Sequence, residues 1–272
     1  MAYKKISDWQ KLPELKLLTD LSAPPKELFY QGKWDPELFK QCTAVVGSRR
    51  ISEYGKRVIE KIIPKLIFDK KTIISGFMYG TDQYAHQTCL DNGGKTIAIL
   101  GWGINFPLSG YDAELAKKII AGGGLLISEW ENQKPTLWTF PTRNRIVAAI
   151  SQEVIVVEAA AQSGSLITAR LATGLKRDLW AVPGPITSKT SMGTNNLIAQ
   201  GKALMWLGEE QTRQLSFDDP VLAVLENEGL TADEMARKLA LPVADIGAKL
   251  TMLSLSGQVK ESGGKYFLND AN

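Results

Sequence analysis

Three short stretches of the chain combine glycine, hydroxyl and arginine side chains as an anion-binding site requires. After a β-branched run, Gly47, Ser48, Arg49 and Arg50 precede Ser52, a residue type that caps helices. In TFPTRNR, Phe140 stands beside Arg143, Asn144 and Arg145, and in QSGSLITA, Gly164, Ser165 and Thr168 stand where a helix would open. A helix start offers unpaired backbone N–H groups and the positive end of its dipole, so it attracts phosphate. Gly164 lets a ligand approach the backbone, while Ser163, Ser165 and Thr168 add hydroxyl donors. Arg49 and Arg50 oppose the dipole of the helix they precede unless an anion neutralises them. Phe140 adds a face on which a nucleobase can stack. The plainer reading makes Phe140 a core aromatic and the arginines a solvated helix face.

Other candidates divide between structural and chemical roles. Asp82 suits the first turn of a helix, and His86, one turn later, reads either as a buried histidine bonded to it or as a catalytic group. Glu129 and Glu158 each close a strand, where they either hold arginines of neighbouring loops or do acid and base work. Gly101 and Gly103 start a dinucleotide fingerprint, but Phe106 replaces its third glycine and the motif follows the third strand, so no nicotinamide cofactor is expected. Cys42, Cys89 and the sole histidine cannot build a disulfide framework or a four-ligand zinc site, and no metal is expected.

The elements that must position these residues follow an α/β pattern. Short apolar strands near 43 to 47, 72 to 75, 96 to 100, 125 to 129, 153 to 158 and 178 to 182 alternate with helices near 52 to 69, 80 to 92, 111 to 122, 142 to 150 and 164 to 175. The unbroken run at Val154 to Val157 marks a strand covered on both faces. In such sheets the loops after the strands gather at one edge, so residues distant in sequence share a crevice. Residues 1 to 40 read as an extended lead-in packing on the core, 41 to 207 as the sheet domain, 208 to 219 as a polar linker and 220 to 272 as a second module. That module reads as three helices, with a capping box at Thr231 and Glu234, and a hairpin turning at Gly263 and Gly264, a winged helix. Its third helix carries Lys249 as its only base, which argues against duplex reading and equally admits a protein contact. Near 194 to 204, Leu197, Ile198 and Leu204 read as a partner seam or as core.

With 272 residues and a formal charge of +3, polyanion binding must come from local clusters of Arg and Lys and not from a global field. No apolar run approaches a membrane span and the first ten residues hold no apolar signal core, so the expected location is the cytoplasm.

The motifs AVVGSRR, SGFMYGTDQYAH, GGKTIAILGWG, LISEW, FPTRNRIVAAIS, VVEAAAQSGSLITARLA, AVPGPI and GTNNLIAQGK, in this order, resemble the DprA/Smf family over roughly residues 20 to 206. The resemblance implies an extended Rossmann-like, mostly parallel sheet with helices on both faces, followed by a small C-terminal winged-helix domain. It also implies a single-stranded DNA-binding protein of natural transformation that dimerises, protects incoming strands and loads RecA recombinase on them while displacing single-strand binding protein. It implies no enzymatic step and no cofactor. Carried over by motif, Ser48, Arg49, Gly164, Ser165 and Thr168 would hold phosphates, Phe140 would stack on a base, Arg143 and Asn144 would line the same pocket, and helix 194 to 204 would face the dimer partner and RecA. The chain departs from the family's pattern at Phe77, Met78 and Tyr79, where small and basic residues are usual, and in lacking a lysine just before the FP motif. Two other readings stay open. Rossmann-like nucleoside-monophosphate phosphoribohydrolases carry PGGxGTxxE, and laying GT on Gly164 and Ser165 puts Thr168 where their catalytic glutamate stands. A nucleotide-sensing or scaffold protein is the third.

Overall fold

The computed structural model describes residues 2 to 208, 220 to 225, 228 to 255 and 258 to 268. Beyond Gly208, the expected linker lies outside the described residues. The chain divides into two compact units, Met1–Glu209 and Glu210–Asn272.

In the first unit the β-branched runs form β3 (Cys42–Val46), β4 (Thr72–Ser75), β5 (Thr96–Ile99), β6 (Leu125–Ser128), β7 (Glu153–Val156) and β8 (Asp178–Ala181). The intervening helices are α1 (Glu53–Phe68), α2 (Thr81–Asp91), α3 (Gly110–Ala121), α4 (Thr139–Ala149) and α5 (Ser165–Gly174). Alternate residues of each strand face opposite layers, as the pleat requires. Val46, Ile74, Val154 and Val156 pack with Ile146 and Val147 of α4 and Ala169 of α5. Val45, Ile73, Ile155 and Val157 pack with Ile59, Ile62 and Ile63 of α1 and Ala85 of α2. Ala98 and Leu100 pack with Leu115 and Ile119 of α3.

The lead-in departs from its expected extended form. It supplies β1 (Lys4–Ile6) and β2 (Leu28–Gln31) at the sheet edge, with β2 antiparallel to both β1 and β6 and 3-10 turns between β1 and β2. Strands of three and four residues carry too little alternation to be read as periodic. The segment 194 to 204 also differs. It holds α6 (Met192–Ala199) and then β9 (Leu204–Met205), because Gly201 at φ +63 turns the chain. Leu197 is buried in the core while Leu204 is exposed, so the seam is split between the two readings.

Among the described residues the sheet has nine strands in the order β1-β2-β6-β5-β4-β3-β7-β8-β9, parallel from β6 onward. The chain steps outward from β3 to β6 and then returns to place β7 on the other side of β3. The loop after β3 leads to α1 on one face, and the loop after β7 leads to α5 on the other, so a crevice opens at the strand ends between them.

The second unit holds α7 (Pro220–Val224), α8 (Ala232–Leu239), α9 (Val243–Leu255) and a hairpin of β10 (Val259–Ser262) and β11 (Lys265–Leu268). The Thr231–Glu234 capping box forms, and Gly263 and Gly264 turn the hairpin with φ of +62 and +78. Met235, Ile246 and Leu250 centre its core, which gives the expected winged helix. Among the described residues no helix is long and apolar enough to cross a membrane, and no group of three or more His, Cys, Asp and Glu could hold a metal.

Candidate nucleic-acid interface

The loop after β3 begins at a glycine for reasons of space. Gly47 has no left-handed φ. A Cβ there would lie 2.6 Å from Thr81 Oγ1 and 3.1 Å from the Glu158 carbonyl, so glycine is required by the close approach of neighbouring loops. Ser48 accepts from the Arg50 N–H at 3.0 Å, and its carbonyl accepts from Thr81 N–H at 3.0 Å. These ties leave Arg49 and Arg50 exposed at the rim, and among the described residues neither forms a salt bridge. Ser52 caps α1 by accepting from Gly55 N–H at 3.2 Å.

Phe140 sits in the first turn of α4, which begins three residues earlier than its expected start at 142. One side of its ring lies against Gly101, where a Cβ would be 2.7 Å away, and its edge meets Trp102 at 6.3 Å between centroids. The ring is only partly buried, and the guanidinium of Arg49 lies over it, 5.1 Å from its centroid. Arg143, one turn on, is 3% exposed. It is not the solvated helix-face arginine of the plainer reading: Nη1 donates to the Ile99 carbonyl and Nη2 lies 3.9 Å from Asp82 Oδ2. Burial raises the Asp82 carboxyl above its ordinary range, and the Arg143 charge opposes that shift. Asn144 Nδ2 donates to the Gly164 carbonyl at 3.4 Å, which links α4 to the start of α5. A Cβ at Gly164 would meet nothing within 4 Å, so the backbone there is open. Ser163 and Ser165 share a hydroxyl hydrogen bond at 2.8 Å, and Thr168 is buried.

Two expectations about buried polar groups are corrected. His86 does not bond Asp82. Its Nε2 lies 2.7 Å from the Gly76 carbonyl, which can only accept, and its Nδ1 lies 2.7 Å from Thr96 Oγ1. Burial pushes its pKa down to about 4, so it is a neutral strut under the loop after β4. Glu158 holds no arginine. It accepts from Ser52 N–H at 2.9 Å, Ser52 Oγ at 2.6 Å and Thr190 Oγ1 at 3.0 Å, which pins the 184 to 191 loop to the start of α1. Glu129 does pair with an arginine, Arg145 of α4.

All ten candidate residues line one cavity of about 600 Å³. Its walls also include Met78, Tyr79, Gln162, Ile167 and Thr190, which the motifs did not assign to the site. For Tyr79 the signal was present: an aromatic in a glycine-bracketed loop that follows a strand at the same sheet edge. The cavity joins exposed cations, an uncrowded backbone at Gly164 and an aromatic face, a combination suited to an anion beside a planar apolar group.

The family model for DNA recombination-mediator protein A matches residues 6 to 216, and that for the DprA winged helix domain matches residues 217 to 265. The chain is 36% identical over 279 residues to Protein Smf of Escherichia coli, across 93% of this chain and 74% of that protein. It is 36% identical over 219 residues to the DNA processing protein DprA of Streptococcus pneumoniae, across 77% of each. The crystal structure of the Streptococcus pneumoniae protein superposes with a TM-score of 0.68 at 35% identity, covering 76% of this chain and 72% of that one. DNA processing protein A from Helicobacter pylori, whose structure gives insights into a unique single-stranded DNA binding mode, superposes with a TM-score of 0.66 at 30% identity, covering 75% of this chain and 91% of that one.

Proposed function

The chain belongs to the DNA recombination-mediator protein A family, and we propose that it binds single-stranded DNA in the rim cavity and delivers the strand to a recombinase of the RecA type. The observation that carries this reading is the joining, in one cavity, of Phe140, the rim cations Arg49 and Arg50, and the open start of α5. Phosphates meet the cations and the uncrowded backbone at Gly164, while an unpaired base lies against the ring. In a duplex each base face is covered by the neighbouring stacked pair, so duplex binds less well. The role is that of a binding protein acting in the cytoplasm, with no bond made or broken.

One stacked base contributes roughly 1 to 3 kcal/mol, so a single site holds a strand weakly. A homodimer raises the effective concentration of the second site. The exposed edge strand β9, with Leu204, Met205 and nearby Leu207 all open to solvent, is the surface we assign to that contact. Titrating labelled oligo-dT and the matching duplex tests the reading. Wild type is expected to favour the single strand and Phe140→Ala to lose affinity; equal binding of both strands, or an unchanged Phe140→Ala, overturns it. Recombinase delivery is read separately, as faster RecA filament growth on strands coated with single-strand binding protein.

A further inference from the structure

Phe140 is not the only aromatic ring on the cavity wall. Tyr79 lines the same cavity, is 57% exposed, and among the described residues its ring and hydroxyl make no hydrogen bond or ring contact. Its position is nonetheless fixed. Gly80 has φ +88 and lies so close to the loop after β3 that a Cβ would be 2.4 Å from the Arg49 carbonyl and 2.5 Å from that of Ser48. Thr81 N–H and Oγ1 both donate to the Ser48 carbonyl, at 3.0 and 3.1 Å. On the other side, Met78 N–H donates to Asp82 Oδ2 at 3.3 Å, and its carbonyl accepts from Gln83 N–H at 3.2 Å. A large apolar ring held out in solvent by anchored backbone does not stabilise the fold, and little conformational entropy remains to be lost when a ligand covers it.

The two rings enter from different loops. Phe140 comes from the first turn of α4, whose core residues pack on one face of the sheet, and Tyr79 from the loop before α2, which packs on the other. Phe140 is packed against Gly101 and crossed by Arg49, so that ring serves one base. Resting on the single-strand reading above, we infer that Tyr79 is a second stacking platform that takes the base of the neighbouring nucleotide. The cavity thus grips two consecutive unpaired nucleotides, with Arg49 and Arg50 on the phosphates. Stacking on a ring is tolerant of sequence, so the pair holds any two bases.

Fluorescence anisotropy with labelled oligo-dT tests this on wild type, Tyr79→Ala, Tyr79→Phe, Phe140→Ala and the Tyr79→Ala/Phe140→Ala double variant. Tyr79→Ala is expected to weaken binding roughly 5- to 150-fold, the loss of one stacked base, with an unchanged melting temperature. Tyr79→Phe is expected to restore it, because the ring and not the hydroxyl stacks. The losses in the double variant are expected to multiply, since two separate bases are released. Binding by Tyr79→Ala equal to wild type, while Phe140→Ala is impaired, overturns the second platform and leaves the single-strand reading intact. So does a double variant no weaker than Phe140→Ala, which would place both rings on one base. Failure of wild type to bind oligo-dT overturns both.

Discussion

The guanidinium of Arg49 lies 5.1 Å from the centroid of the Phe140 ring, so the face on which a base would stack already carries a cation. The contact joins the loop after β3 to α4 across the crevice. A cation over an exposed ring is worth about 0.5 to 1 kcal/mol, less than a phosphate contact and a stacked base together provide. In the proposed binding mode, a phosphate that draws Arg49 aside would uncover the ring for the base attached to it.

This division of labour separates two variants by their salt dependence. Arg49→Ala is expected to weaken oligo-dT binding and to lower the slope of log affinity against log salt by about 0.7, one counterion on a single strand. Phe140→Leu, which keeps an apolar side chain against Gly101, is expected to lose affinity at an unchanged slope. Dissociation constants across a potassium chloride series read both. Identical slopes in the two variants would place Arg49 off the phosphates.

His86 gives a pH signature that the composition makes assignable, because it is the only histidine in the chain. Burial holds its folded pKa at about 4 against an ordinary 6.5, while the unfolded chain takes up the proton normally. Between those values the unfolded state binds more protons, so stability is lost as pH falls through that window, by on the order of 3 kcal/mol at about 1.4 kcal/mol per pKa unit. Asp82 and Glu129, raised by burial, contribute the opposite slope just above the ordinary carboxylate range. The readout is therefore the difference between wild type and His86→Gln, whose amide can still donate to the Gly76 carbonyl. Urea midpoints from pH 4 to 7.5 should converge at the acid end, and parallel curves would show that His86 does not couple folding to protons.

The parallel sheet was legible because β3, β4, β5 and β7 are β-branched runs buried on both faces. The cavity residues were legible for a topological reason: loops after parallel strands meet at one rim whatever their separation in sequence. What stayed hidden depends on long-range partners or short elements. Glu158 meets Ser52, 106 residues earlier, and no local pattern distinguishes a carboxylate that caps hydroxyls from one that pairs with arginine. His86 and Asp82 lie one helical turn apart yet do not bond each other, because Gly76 and Thr96 approach the imidazole from neighbouring strands while Asp82 accepts from Met78 N–H. Arg143 reads as a surface cation in its motif, and only the packing of α4 on the sheet shows that it is enclosed.

Two glycines in the cavity separate a structural demand from a ligand's demand. At Gly76 a Cβ would lie 2.1 Å from both Arg143 Nη1 and Asp82 Oδ2, so Gly76→Ala forces the buried pair apart. The expected result is a loss of roughly 1 to 3 kcal/mol of stability, as for other overpacked sites, together with weaker oligo-dT binding. Gly164 is the opposite case: its φ of −60 suits any residue and a Cβ there would meet nothing within 4 Å. Gly164→Ala is therefore expected to keep the melting temperature of wild type, and any affinity it loses reports a ligand that would have touched the backbone at the start of α5. Oligo-dT titration beside thermal melts decides the matter: unimpaired binding by Gly164→Ala removes that helix start from the phosphate contacts and leaves Arg49 and Arg50 to hold the strand.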